Sequence, residues 1–82
     1  MRLVVSNLPE AIKQEDVIEL FSRFGRVGQV RLLYNIYTGK FRQMAYVDMT
    51  DKGCAASAVR KLNQTRIHGS LITVALAVSG KL

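Results

Sequence analysis

The sequence predicts an α+β domain in which a four-stranded antiparallel sheet carries two helices on one face, in the order β-α-β-β-α-β. Three observations lead there. Two segments repeat apolar residues at helical spacing, four short segments are β-branched or alternate apolar with polar side chains, and turn residues separate them. The 82 residues are 49% hydrophobic with one proline, enough for a single small core and unlike a disordered tail. Residues 1–82 read as one domain with 78–82 a short tail, and no repeat, linker or low-complexity stretch interrupts them.

The first strand is expected at 2–6, where Leu3-Val4-Val5 is apolar and Asn7-Leu8-Pro9 stops the run. Val17, Leu20, Phe21 and Phe24 then fall at i, i+3, i+4, i+7, one face of a helix over 14–24. Glu15, Asp16 and Glu19 lie in its early part, where acids suit the positive end of the helix, and Gly25 is placed to end it. A second strand over 28–34 points Val30 and Leu32 inward and Arg31 and Leu33 outward. Residues 35–41 form a loop turning at Thr38-Gly39.

The third strand, 42–49, is the most informative stretch. A period of two sets Arg42, Met44, Tyr46 and Asp48 on one face and Gln43, Ala45, Val47 and Met49 on the other. Asp51 can cap a second helix over 51–62, whose Ala55, Ala58, Val59 and Leu62 stripe is small enough to sit close to a sheet. A turn region over 63–70 ends in Gly69. The last strand, 71–77, places Ile72, Val74 and Leu76 on one face and Thr73 and Ala75 on the side of Tyr46.

The formal charge is +6 and the isoelectric point about 10.0, so a polyanionic partner is the natural inference. Cys54 stands alone, which excludes an internal disulfide and a Cys-based zinc site and fits a reducing compartment. The apolar runs fall far short of a membrane span, and the N-terminal one is too short for a signal peptide. Asn63-Gln64-Thr65 matches the glycosylation sequon, a chance match in a chain without secretory features.

Arg42-Gln43-Met44-Ala45-Tyr46-Val47-Asp48-Met49 resembles the longer signature of the RNA-recognition motif (RRM), K/R-G-F/Y-G/A-F-V-x-F/Y. Arg42, Ala45, Tyr46 and Val47 match; Gln43 replaces the glycine, and Met44 and Met49 replace aromatics. Leu3-Val4-Val5-Ser6-Asn7-Leu8 resembles the family's second signature, with Val4 where an aromatic usually sits. Glu15 to Phe21 with Phe24-Gly25, then Ala55, Ala58, Leu62 and Asn63, then Thr73 to Ala77, are similar to its two helices and last strand. The resemblance covers nearly the whole chain and implies a ferredoxin-like fold. Arg31-Leu32-Leu33-Tyr34-Asn35 followed by Ala45-Tyr46-Val47-Asp48 is also similar to RRMs of spliceosomal proteins that act on the U6 small nuclear RNA.

The resemblance implies single-stranded RNA binding on the helix-free sheet face, as a nuclear module of RNA processing or splicing within a longer protein. Tyr46 takes a position where the family stacks a base, and Val4 and Met44 take the other two stacking positions without an aromatic ring. Arg2, Arg31 and Arg42 are expected on that face with Lys40 at its edge, to meet phosphates or stack on bases. Tyr37 and Phe41 can add aromatic surface, although Phe41 reads rather as a loop anchor folded back on the protein. Asn7 can read a base edge or hold the turn before Pro9. Thr73 lines the face, and Lys81 in the tail can meet a phosphate.

His68 has no second ligand nearby, and no nucleophile, base and orienter assemble, so neither a metal, a cofactor nor an enzyme is expected. The competing function is a protein-docking domain that receives a peptide or partner domain on its helices. Ile18 motivates it, because it falls off the Val17/Phe21/Phe24 stripe.

Overall fold

The computed structural model describes residues 1–77. Strands β1 (Arg2–Ser6), β2 (Val27–Tyr34), β3 (Phe41–Met49) and a final strand, Thr73–Leu76, form one antiparallel sheet. Helices α1 (Gln14–Ser22) and α2 (Lys52–Leu62) connect its halves. Between α2 and the final strand lies a second, two-stranded sheet made of β4 (Arg66–Ile67) and β5 (Ser70–Leu71), so the final strand is β6. The spatial order of the large sheet is β2-β3-β1-β6, a ferredoxin-like α+β fold.

The core lies between the sheet and the two helices. Leu3 and Val5 of β1, Val30 of β2, Ala45, Val47 and Met49 of β3 and Val74 of β6 are buried against Val17 and Phe21 of α1 and Ala55, Ala58 and Leu62 of α2. Ala55 and Ala58 let α2 approach the strands closely, as their size predicts. Asp51 caps α2 by accepting from the Gly53 N–H at 2.8 Å, and Arg60 and Lys61 occupy its last turn, where the helix end is negative. In α1 the reach-back half of a cap is made by Asp16, whose carboxylate accepts from the Lys13 N–H at 3.0 Å.

Four differences from the sequence reading have local causes. Helix α1 ends at Ser22 rather than 24, because Phe24 N–H turns back to the Phe21 carbonyl at 3.0 Å and tightens the exit. Phe41 belongs to β3, paired with Tyr34, and not to the loop. The 63–70 segment is not a plain turn. His68 (φ 51°) and Gly69 (φ 87°) both take positive φ, as a two-residue hairpin turn requires, and close β4 on β5. Leu76 sits opposite Leu3 in register but is 48% exposed, as the last residue of an edge strand.

Candidate nucleic-acid interface

The strand register builds three rows across the sheet face away from the helices. The central row is Ala75–Val4–Tyr46–Arg31, one residue from each strand. Beside it runs Thr73–Ser6–Met44–Leu33, and on the other side Arg2–Asp48–Gln29. Tyr46, Val4 and Met44 are half-buried, while Arg31, Thr73 and Ala75 are exposed. The alternation in β1, β2, β3 and β6 thus brings Tyr46, Val4, Met44, Arg2, Arg31 and Thr73 together on one surface.

Arg2 does not lie free on it. Its Nε donates to Asp48 Oδ1 at 2.9 Å and its guanidinium also reaches Oδ2 at 3.4 Å. The same guanidinium carbon stands over the Tyr46 ring, 5.0 Å from the centroid, within cation–π range. The hydrogen bond from Arg2 holds the Asp48 carboxyl below the usual carboxylate range against a partial desolvation that works the other way, with Arg31 adding to the lowering. Reciprocally, the Asp48 hydrogen bond raises the Arg2 guanidinium above its ordinary value. Alternation along β3 places Asp48 on this face, and its pairing with Arg2 follows from the register, in which 2 and 48 are directly opposed.

Three of the expected contact residues have neighbours within the protein. Arg42 is exposed next to Gln43, which takes a left-handed φ of 59°, where β3 runs two residues longer than β2 between Leu33/Met44 and Tyr34/Phe41. At that bulge Arg42 lines a shallow loop cleft with Tyr34, Asn35, Ile36 and Tyr37. Phe41 packs against the core cluster with its ring 5.5 Å from Tyr34, and so anchors the loop. Asn7, at φ 62°, donates its side-chain amide to the Leu71 carbonyl at 2.8 Å, so it ties the end of β1 to the hairpin. Lys40 is exposed in a loop held by the Asn35 carboxamide oxygen, which accepts from Tyr37 and Thr38 N–H at 2.8 and 3.0 Å. Ile36 (86% exposed) and Tyr37 (90%) stand out from that loop. Lys81 lies outside the described residues.

On the helical side, a groove of about 270 Å³ separates α1 from the β4–β5 hairpin. Ile12, Leu20 and Ile67 line it with Asp16, Glu19 and Arg66. Ile18, on the same helix, is 39% exposed.

The model of the RNA recognition motif matches residues 3–73. The splicing factor PRP24 of Ophiostoma ulmi, described as U4/U6 snRNA-associated, is 32% identical over 77 residues. That match covers 94% of this chain and 9% of the relative, so the chain spans about a tenth of that protein's length. Among solved structures, the crystal structure of RNA Binding Protein PG1 superposes with a TM-score of 0.91 at 27% identity, covering 100% of this chain and 99% of that one. A chain of the Sxl-lethal protein–RNA complex superposes with a TM-score of 0.89 at 25% identity, covering 96% of this chain and 47% of that one. The signature residues on β1 and β3, the sheet order and these similarities agree: the chain belongs to the RNA recognition motif family.

Proposed function

We propose that this chain binds a few nucleotides of single-stranded RNA on its helix-free sheet face, as a nuclear splicing module of a longer protein. The observation that carries the reading is the central row, which sets Tyr46 between Val4 and Arg31 in register. A base stacked on the Tyr46 ring gains about 1–3 kcal/mol. Arg31 beside it supplies a cation for the phosphates, Arg2 one row away is a second once it leaves Asp48, and exposed Lys40 extends them at the edge. Val4 and Met44 offer apolar contact without a second and third ring, so the surface binds more weakly than one with three aromatics. Thr73 and the small Ala75 leave room at the β6 side for a base or for the chain that follows. The action is recognition only: bases lie on the sheet and no bond is made or broken. The splicing role draws on the PRP24 relative, and the module reading on the small share of that relative that the chain spans.

The test is titration of fluorescein-labelled random RNA octamers with the parent chain, Tyr46→Ala and Arg31→Ala. Tyr46→Ala is expected to weaken binding about tenfold, in keeping with one lost stack. Arg31→Ala should weaken it and flatten its salt dependence. Equal binding by the parent and Tyr46→Ala would remove the stacking role.

A second reading rests on the groove between α1 and the hairpin together with exposed Ile18: a peptide or partner domain docks on the helical side. Amide-shift mapping separates the two. Shifts within 2–6, 31–33 and 44–48 on adding RNA support the sheet surface, and no shift with any RNA favours the helical side.

A further inference from the structure

Asp48 is an acid on a surface proposed to meet a polyanion. Its neighbours explain what it does there. It is opposite Arg2 in register and holds that guanidinium by two contacts, at 2.9 and 3.4 Å. The guanidinium so held is the one that stands over Tyr46. Stacked rings and planes lie about 3.5 Å apart, so a base and this guanidinium compete for the same region of the ring.

We propose that Asp48 and Arg2 form a latch over Tyr46, in which Asp48 keeps Arg2 on the ring in the free protein and RNA must displace it to stack a base. This rests on the reading that RNA binds the Tyr46 face, and deepens it by assigning Asp48 an attenuating role. The latch has two effects on RNA. It occupies the stacking surface with an intramolecular competitor, and it neutralises a cation that would otherwise be free for a phosphate. Both are small, because the ion pair and the cation–π contact lie at the surface, where each is weak. A weak latch is one that a ligand can open. It filters against ligands that offer charge without a stacking base, since these cannot take the ring from Arg2.

The experiment is a double-mutant cycle on the whole chain, read by titration of the same labelled random RNA octamers at several salt concentrations. Asp48→Asn is expected to raise affinity roughly threefold to tenfold, the scale set by one surface ion pair and one cation–π contact. It should also steepen the dependence of log K on log salt by about 0.7, the increment for one phosphate contact on a single strand. Arg2→Ala alone uncovers the ring and loses the cation. In the Arg2→Ala background, Asp48→Asn should lose most of its gain, because the latch is already absent. An equal gain in both backgrounds would overturn the proposal, since Asp48 would then act only by its charge. So would a loss of affinity in Asp48→Asn, which would mean that Asp48 poises Arg2 for phosphate. Should Tyr46→Ala leave affinity unchanged, the underlying reading fails and the latch with it. Should Tyr46→Ala weaken binding while Asp48→Asn does nothing, the latch alone fails.

Discussion

Gln43 holds Leu8 at both of its main-chain groups. The Gln43 carbonyl accepts from the Leu8 N–H at 2.9 Å, and the Gln43 side-chain Nε2 donates to the Leu8 carbonyl at 2.9 Å. Leu8 is fully buried, so this double bond pair satisfies a loop that enters the core. Gln43 makes it from a left-handed backbone, where the family signature carries glycine.

Replacing Gln43 therefore separates strain from hydrogen bonding. Gln43→Ala keeps the strained φ and strips a partner from the Leu8 carbonyl, for a loss of about 1 kcal/mol. Gln43→Gly relieves a left-handed strain of about 1 kcal/mol while losing the same bond, and should stay within about 1 kcal/mol of the parent. Urea denaturation of the three chains checks this. Gly less stable than Ala would refute the account.

Gly25 passes so close to α2 that a Cβ added there would lie 2.6 Å from both Cβ and Sγ of Cys54. Gly25→Ala should cost about 1–3 kcal/mol by overpacking. Cys54→Ala in the same chain should restore little of it, because the Cys54 Cβ is retained at the point of collision. Thermal unfolding of the single and double variants measures this, and full rescue by Cys54→Ala would count against the stated contact.

Asp48 makes stability depend on acid. Its folded pKa is lowered, first by the Arg2 hydrogen bond. A carboxylate of this kind contributes stability that is present above its unfolded value of about 3.9 and is lost as pH falls through the lower, folded value. A carbon-detected titration of the Asp48 carboxyl should show a midpoint below about 3.9, and Arg2→Ala should move it upward. A midpoint unmoved by Arg2→Ala would disprove the attribution.

Asn7 tethers the hairpin to the sheet through the Leu71 carbonyl. Asn7→Gly keeps the positive φ but loses the bond, and amide hydrogen exchange across 66–71 should quicken several-fold while the helices are unchanged. Unchanged exchange in the hairpin would show that the tether is idle.

Much of this was legible in the residues. The apolar stripes placed both helices, and alternation placed Tyr46, Val4, Met44, Arg31 and Thr73 on one surface, because period two survives wherever the ladder is regular. Around Arg42 the ladder is irregular, with one left-handed residue and two unpaired positions. Neither is visible from side-chain pattern, although a Gln in a glycine position was a clue. The β4–β5 hairpin escaped notice because its strands are two residues long and too short to show a period. Asn7 and Phe41 were ambiguous in sequence, and only tertiary neighbours, Leu71 and Tyr34, decide them.

Gln14, at the start of α1, donates its side-chain amide to the Val30 carbonyl at 2.7 Å. Val30 sits mid-way along β2, an outer strand whose far side has no partner strand among the described residues. An outer strand with vacant acceptors is a template on which another copy can add itself. With that acceptor already taken and the helix N-terminus leaning on it, the border of the sheet is interrupted at its centre. That interruption makes the edge a poorer template for another copy and takes no residue from the opposite surface.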